Sequence, residues 1–131
     1  MIILVMGLPG SGKTHLAERL QAHLACSWFN ADDIRKAAND WDFSPAGRIR
    51  QTLRMNNIAE FEPGTVICDF VCPTQATRSL FNYDILIWLD TIKEGRFDDT
   101  NKIFEPPTDA TYIISTYLSD IEISQLGDKL V

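Results

Sequence analysis

Met1-Ile2-Ile3-Leu4-Val5-Met6-Gly7-Leu8-Pro9-Gly10-Ser11-Gly12-Lys13-Thr14 opens the chain, and its reading decides the fold. Residues 1–6 form an unbroken apolar run, as expected of a strand buried on both faces. The run passes directly into G-x-x-x-x-G-K-T at residues 7–14, the phosphate-binding pattern called Walker A. Residues 14 to about 25 then read as a helix. Glycines keep side chains out of the loop, so successive backbone N–H groups can converge on one anion. The helix start adds unpaired N–H groups and its dipole. Gly7, Leu8, Pro9, Gly10, Ser11 and Gly12 therefore read as a cup for the polyphosphate of ATP. Lys13 supplies a point charge for the β and γ phosphates, and Thr14 a hydroxyl for Mg²⁺. The pattern points to nucleotide binding without choosing a reaction, because switches, motors and kinases all use this loop.

Composition narrows the class. A length of 131 residues suits one domain spanning 1–131, and the 45% hydrophobic and 23% charged shares are ordinary for a globular protein. No apolar run is long enough to cross a bilayer and no signal peptide precedes the loop, so the expectation is a cytoplasmic protein without a membrane partner. A net charge of −6 disfavours a large nucleic-acid footprint while leaving room for a local basic cleft. Cys26, Cys68 and Cys72 are odd in number and form no C-x-x-C pair, which argues against a disulfide framework or a zinc site. His15 and His23 have no metal-like partners and read as structural or surface residues.

Strands and helices alternate along the chain. Leu16, Ala17, Leu20 and Leu24 give the first helix an apolar face. Residues 26–30 read as a second strand, followed by a short helix from Asp32 or Asp33 to about Ala38. Ser44-Pro45 is a hydroxyl cap followed by proline at the first helical position, so a helix is expected to about Glu60. Residues 65–71 read as a third strand, and a helix is expected from Pro73 to about Leu80. Residues 84–90 and 109–115 read as the fourth and fifth strands, with a polar irregular stretch, 91–107, between them. A last helix runs from Asp120 to about Leu130, with an interruption expected at Gly127. This order implies an α/β fold, a three-layer α/β/α P-loop architecture on a five-stranded parallel sheet. The ligand site of such a sheet lies beyond the carboxyl ends of its strands, where the loop, Asp32, Cys72 and Asp90 fall.

Several residues near that rim suit phosphoryl transfer. Asp32 is the first choice for an acid–base carboxylate, and such a group also reaches a magnesium shell. A plain helix cap is the alternative role for it. Arg35 lies one turn on, and Arg48 and Gln51 share a face of the third helix. An arginine fork suits a phosphate or sulfate, though solvated arginine explains any one of them alone. Arg50 and Arg54, another i, i+4 pair, suggest a solvated face or a second anion contact, with the solvated face the first choice. Phe43 or Trp41, in a loop, could stack on a base or simply pack there. Asp69 is either a magnesium carboxylate or turned away from the site, because the third strand is expected to continue past it. Arg78 and Arg96 are candidates for reaching the phosphoryl group if a lid closes.

Taken together, the motifs resemble those of the adenylylsulfate kinases. Beside the phosphate loop, Asn30-Ala31-Asp32-Asp33-Ile34-Arg35 looks like that family's D-G-D-N-x-R segment. Residues 42–51, Asp-Phe-Ser-Pro-Ala-Gly-Arg-Ile-Arg-Gln, look like its G-F-S-x-x-D-R-x-E-N. Phe70-Val71-Cys72-Pro73 with Arg78 looks like its F-I-S-P…R, and Phe104-Glu105-Pro106-Pro107 before Ile113-Ile114 looks like its Y-E-P-P…V-I-D. The resemblance implies transfer of the ATP γ-phosphate to the 3′-hydroxyl of adenylylsulfate, a step of sulfate assimilation. It makes Asp32 the catalytic carboxylate beside Lys13. Arg35, Phe43, Arg48 and Gln51 become acceptor contacts, with Phe43 stacking on adenine and Val71 and Cys72 contributing backbone. Asn30, Ala31, Asp33, Gly47, Gln51 and Cys72 depart from the family's residues, and its lysine-rich lid is largely missing between Asp90 and Phe104.

Residues 30–35 and Asp69 are also similar to polynucleotide 5′-hydroxyl kinases, over a shorter stretch. Three readings therefore stand: a small-molecule kinase with adenylylsulfate as the first acceptor, a kinase of polynucleotide or modified-base hydroxyls, and a nucleotide-binding module without turnover. A homodimer is compatible with all three.

Overall fold

In a computed structural model describing residues 1–131, five parallel strands form one sheet in the order β2-β3-β1-β4-β5. The strands are β1 (Ile2–Met6), β2 (Ser27–Asn30), β3 (Val66–Asp69), β4 (Ile85–Leu89) and β5 (Tyr112–Ile114). The helices are α1 (Lys13–Leu24), α2 (Ala31–Ala38), α3 (Pro45–Phe61), α4 (Gln75–Arg78), α5 (Asp98–Ile103) and α6 (Asp120–Leu130). All five expected strands are present, and the three-layer α/β/α arrangement is the one that their alternation with helices implies. No helix is long and apolar enough to cross a membrane.

The apolar run at the start of the chain becomes the middle of the sheet. β1 pairs with β3 on one side and β4 on the other, with Ile3 opposite both Ile67 and Ile85. Its side chains alternate between two cores, as the period of a strand requires. Ile3 and Val5 pack with Leu16, Ala17 and Leu20 of α1 and with Ile123, Leu126 and Leu130 of α6. Leu4 and Met6 pack on the opposite face with Met55 and Ala59 of α3 and with Phe70 and Phe81. Both faces of the central strands are thus covered, which is why they carry almost no polar side chains.

Residues 98–103, expected within an irregular stretch, form α5, and three further elements differ from expectation, each for a local reason. β3 stops at Asp69, because Cys72 takes a left-handed conformation (φ 45°) ahead of Pro73 and turns the chain out of the sheet. α4 is a single turn, closed at its start by reciprocal Thr74–Thr77 capping bonds. α6 continues through Gly127 without a break. That glycine lies against α1, where an added Cβ would come within 2.4 Å of His23 Cδ2. Its role is close approach between helices. His23 then pairs with Asp128 at 2.8 Å.

Arg78 does not reach the phosphoryl site. It is 1% exposed, and its Nη1 and Nη2 donate to the carbonyls of Cys72 (2.9 Å) and Glu105 (2.7 Å). The guanidinium ties the turn after β3 to the segment that leads into β5, so it is a structural bracket. Arg78→Met keeps much of the volume but leaves the buried Cys72 carbonyl and the partly buried Glu105 carbonyl without donors. It should destabilise the protein by about 3 kcal/mol, read as a lowered midpoint of urea unfolding.

Candidate active site

A cleft of about 760 Å³ opens at the carboxyl ends of β1, β2 and β3. It is lined by Pro9, Gly10, Gly12, Lys13 and Thr14 from the phosphate loop and by Asp32, Arg35, Phe43, Arg48, Gln51, Val71 and Cys72 beyond it. Twelve sequence-predicted site residues therefore share one cavity. Gly7, Leu8 and Ser11 are buried within the loop and do not line the cavity. A Cβ on Gly7 would sit 2.5 Å from Ser11 Oγ and 2.9 Å from the Leu89 carbonyl, so only glycine fits against β4 there. Gly10 and Gly12 hold φ of 92° and 100°, a region that L side chains rarely enter.

Lys13 Nζ donates to the Leu8 carbonyl at 3.2 Å, which folds the lysine back over its own loop. Burial lowers its pKa below the ordinary lysine value, while the nearby carboxylates of Asp69 and Asp32 push the other way. A half-buried ammonium facing carboxylates and an amide-lined cup is poised to accept an anion.

Asp32 stands in the first turn of α2 and faces the cleft. It is not the helix cap. Asn30 caps the helix, its Oδ1 accepting from the Asp33 N–H at 3.1 Å, and this leaves the Asp32 carboxylate without a protein hydrogen bond. The same Asn30 side chain turns its amide toward both Asp69 oxygens (3.1 and 3.2 Å) and toward Thr14 Oγ1 (3.3 Å). Trp28 Nε1 adds a 2.6 Å bond to Asp69 Oδ2. Burial raises the Asp69 pKa, and the bonds from Trp28 and Asn30 together with Lys13 oppose the rise. Because β3 ends at Asp69, this carboxylate meets the cleft, which decides between the two placements left open by the sequence. Asn30 and Trp28 are site residues that the sequence reading does not single out. A polar residue closing β2 immediately before a helix was the available signal.

The donors fit a magnesium ion held together with phosphates. Thr14 offers one hydroxyl, and Asp69 and Asp32 offer two carboxylates on the same cleft, with no cluster of three or more His, Cys, Asp or Glu. Mg²⁺ is commonly bound by one or two carboxylates plus substrate phosphate and water, whereas an all-protein cage needs more ligands.

At the far end of the cleft the ring of Phe43, half exposed, has two guanidiniums beside it. Arg35 Cζ is 4.2 Å from the ring centroid and Arg48 Cζ is 5.5 Å. Arg35, 4% exposed, donates to the carbonyls of Asp40 (3.0 Å) and Asp42 (3.1 Å), and Arg48 donates to the Phe43 carbonyl (2.9 Å). Trp41 also lines the cleft. Gln51 lies in the cavity wall, but its amide is already engaged: Nε2 donates to the Ala31 carbonyl at 3.0 Å and Oε1 accepts from Arg54. Its structural task is to tie α3 to the start of α2. Cys72 is buried, and its carbonyl is taken by Arg78.

Comparison with known proteins agrees with this architecture. A family model described as an AAA domain matches residues 2–81, more than half of the chain. The chain belongs to the AAA domain family. No curated protein sequence matches it. Among solved structures it is similar to the Mycobacterium tuberculosis APS kinase CysC in complex with AMPPNP and APS. That match has a TM-score of 0.80 and 18% identity, and covers 98% of this chain and 95% of that one. A gluconokinase from Sinorhizobium meliloti matches with a TM-score of 0.66 and 14% identity over 98% and 94% of the two chains. Shikimate kinase from Acinetobacter baumannii in complex with shikimate matches at 0.65 and 18% over 98% and 89%. At these identities the likeness is one of fold.

In this AAA domain the loop that carries Phe43 is held by charge, and here the structure corrects the expectation of a solvated arginine pair. Arg50 bonds Asp40 at 2.7 and 3.0 Å and Asp42 at 3.2 Å, and Arg54 reaches Asp40 at 2.9 Å. Gly47 completes the support, since a Cβ there would fall 2.2 Å from the Asp42 carbonyl. Hydrogen bonds from Arg50 and Arg54 hold the Asp40 carboxyl well below the usual carboxylate range. A depressed folded pKa means stabilisation that is present at neutral pH. It is lost as the pH falls from the ordinary carboxylate range toward the folded value. Urea midpoints measured from pH 6 down to pH 2 should therefore fall more steeply for the unmodified protein than for Asp40→Asn.

Proposed function

We propose that this protein is an ATP-dependent kinase that transfers the γ-phosphate to a hydroxyl of a small nucleotide-type acceptor, with adenylylsulfate (3′-OH) as the first candidate. The observation carrying this reading is the shared cleft. Lys13 and Thr14 enter it from the phosphate loop and Asp32 from the start of α2, while the Phe43, Arg35 and Arg48 group closes its far end. A nucleoside carrying an anionic group matches an aromatic ring flanked by two cations. Residues 42–51 and 70–73, which resemble the acceptor segments of adenylylsulfate kinases, lie at or beside that end.

In this reading Lys13 and the loop amides hold the β and γ phosphates, and Asp32 accepts the proton of the acceptor hydroxyl as its oxygen attacks the γ phosphorus. The new O–P bond forms as the bond to the β–γ bridging oxygen breaks, giving ADP and the phosphorylated acceptor, 3′-phosphoadenylylsulfate for adenylylsulfate. Thr14 and Asp69 would hold Mg²⁺, with Asp32 at its water shell. That ion would offset charge on the β and γ oxygens. Arg96, which also lines the cleft and stands near enough to Lys13 to lower its pKa, adds a second cation on the phosphate side.

Asp32→Asn should lower turnover by about two orders of magnitude or more and leave ATP affinity within about twofold. The assay is transfer of labelled phosphate from ATP to adenylylsulfate, 5′-hydroxyl DNA, hydroxymethylated DNA, shikimate and gluconate in parallel. Preference for adenylylsulfate supports the proposal. Preference for a DNA hydroxyl, with steep salt dependence, would move the activity to the polynucleotide class. ATP binding with no transfer to any acceptor would make the protein a binding module.

A further inference from the structure

Residues 91–101 do not stand away from the phosphate loop as an open lid. They are docked on it at three points. Thr91 Oγ1 donates to the Ser11 carbonyl at 2.7 Å. Ile92 reaches the space beside Gly10, where an added Cβ would lie 3.7 Å from its Cδ1. Gly95 lies flush on Pro9: a Cβ there would come 3.1 Å from both Pro9 Cδ and the Pro9 carbonyl oxygen.

One side chain closes this arm on itself. The Asn101 amide pairs with the backbone of Gly95 in both directions. Its Oδ1 accepts from the Gly95 N–H at 2.8 Å, and its Nδ2 donates to the Gly95 carbonyl at 2.9 Å. A reciprocal amide pair is directional at both ends, so it sets the orientation of the peptide it grips as well as its distance. The next residue is Arg96. Its guanidinium faces the cleft beside Lys13, has no acceptor within the protein, and rests only against the ring of Phe97 at 5.4 Å. A cation in a cleft without a partner is free for an incoming anion, whereas Arg35, Arg48 and Arg78 already spend hydrogen bonds on the chain itself.

We infer that Asn101 is a positioning residue, which fixes the Gly95 peptide where the arm packs on Pro9 of the phosphate loop and so holds Arg96 over the site of the terminal phosphates. The chain thereby replaces a long cationic lid with a short preformed arm bearing one arginine. Loop freedom that a mobile lid would lose on binding is already lost in the free protein, so the arm contributes its charge at lower entropic cost. This inference rests on the proposal that the loop binds ATP.

The test measures the affinities of ATP and of AMP for the unmodified protein and for Asn101→Ala, Arg96→Ala and the double variant, each with its thermal midpoint. AMP shares the nucleoside but lacks the β and γ phosphates. Asn101→Ala should weaken ATP by about tenfold, the scale of one charge-assisted contact. AMP should be unchanged, Arg96→Ala should match Asn101→Ala, and the double variant should be no weaker than either. Gly95→Ala, which wedges a methyl against Pro9, should reproduce the ATP defect and stands in if Asn101→Ala does not fold. ATP affinity unchanged in Asn101→Ala, or additive losses in the double variant, would overturn the latch alone. Absence of ATP binding by the unmodified protein would defeat the nucleotide reading and the latch with it.

Discussion

The amide of Asn30 is the point at which the site and the fold become one structure. Its oxygen caps α2, and its nitrogen faces Asp69 at the end of β3 and Thr14 at the start of α1. Three elements that are distant in sequence are thus fixed to one planar group. Asp69 is 1% exposed, and a carboxylate at that depth is costly unless donors surround it. Asn30 and Trp28 supply them, and Lys13 supplies opposite charge. Because Asn30 takes the capping role, Asp32 is left without an internal partner and is directed at the cleft. The Asp32 carboxylate is free to face the cleft because a neighbouring amide does the structural work.

Charge organises the two ends of the cleft differently. At the loop end Lys13 donates to the Leu8 carbonyl and stands near the carboxylates of Asp69 and Asp32, with Arg96 close by. On the acceptor side Arg35 and Arg48 are held by the backbone of residues 40–43 and flank Phe43, while Asp40, Arg50 and Arg54 brace that loop from behind. On a chain of net charge −6 the cleft brings together four cations, Lys13, Arg35, Arg48 and Arg96, against the three carboxylates of Asp32, Asp69 and Asp99. The acidic residues lie mainly on the outer faces or serve as braces, and the arginines are drawn inward by carbonyl oxygens. A polyanion meets local positive charge in a partly enclosed volume, where electrostatic attraction is stronger than on open surface.

The fold was legible in the sequence wherever period and punctuation agree. The apolar run of β1, the glycine pattern after it and the Ser44-Pro45 start of α3 each state a backbone conformation directly. The cleft membership of Lys13, Asp32, Arg35, Phe43 and Arg48 followed, since strand ends in this architecture meet on one rim. What escaped depends on long-range contacts. Arg78 looks like any helical arginine until its carbonyl partners, Cys72 and Glu105, are seen. Arg50 and Arg54 repel each other in a helix considered alone and become favourable only when Asp40 folds back toward them. Gly127 reads as a helix breaker, whereas the need for it comes from His23 on another helix. The end of β3 turned on the left-handed conformation of Cys72, which no periodicity announces.

The central claim is spatial: one cleft holds a terminal phosphate against Lys13 with the Asp32 carboxylate on its open side. A crystal structure with a non-hydrolysable ATP analogue and Mg²⁺ tests it most directly. The account predicts the triphosphate within residues 7–14, Lys13 Nζ in hydrogen-bond contact with it, and Asp32 facing the γ phosphorus across space large enough for a hydroxyl. A triphosphate bound outside that loop, or an Asp32 side chain turned away from the phosphate, would contradict it.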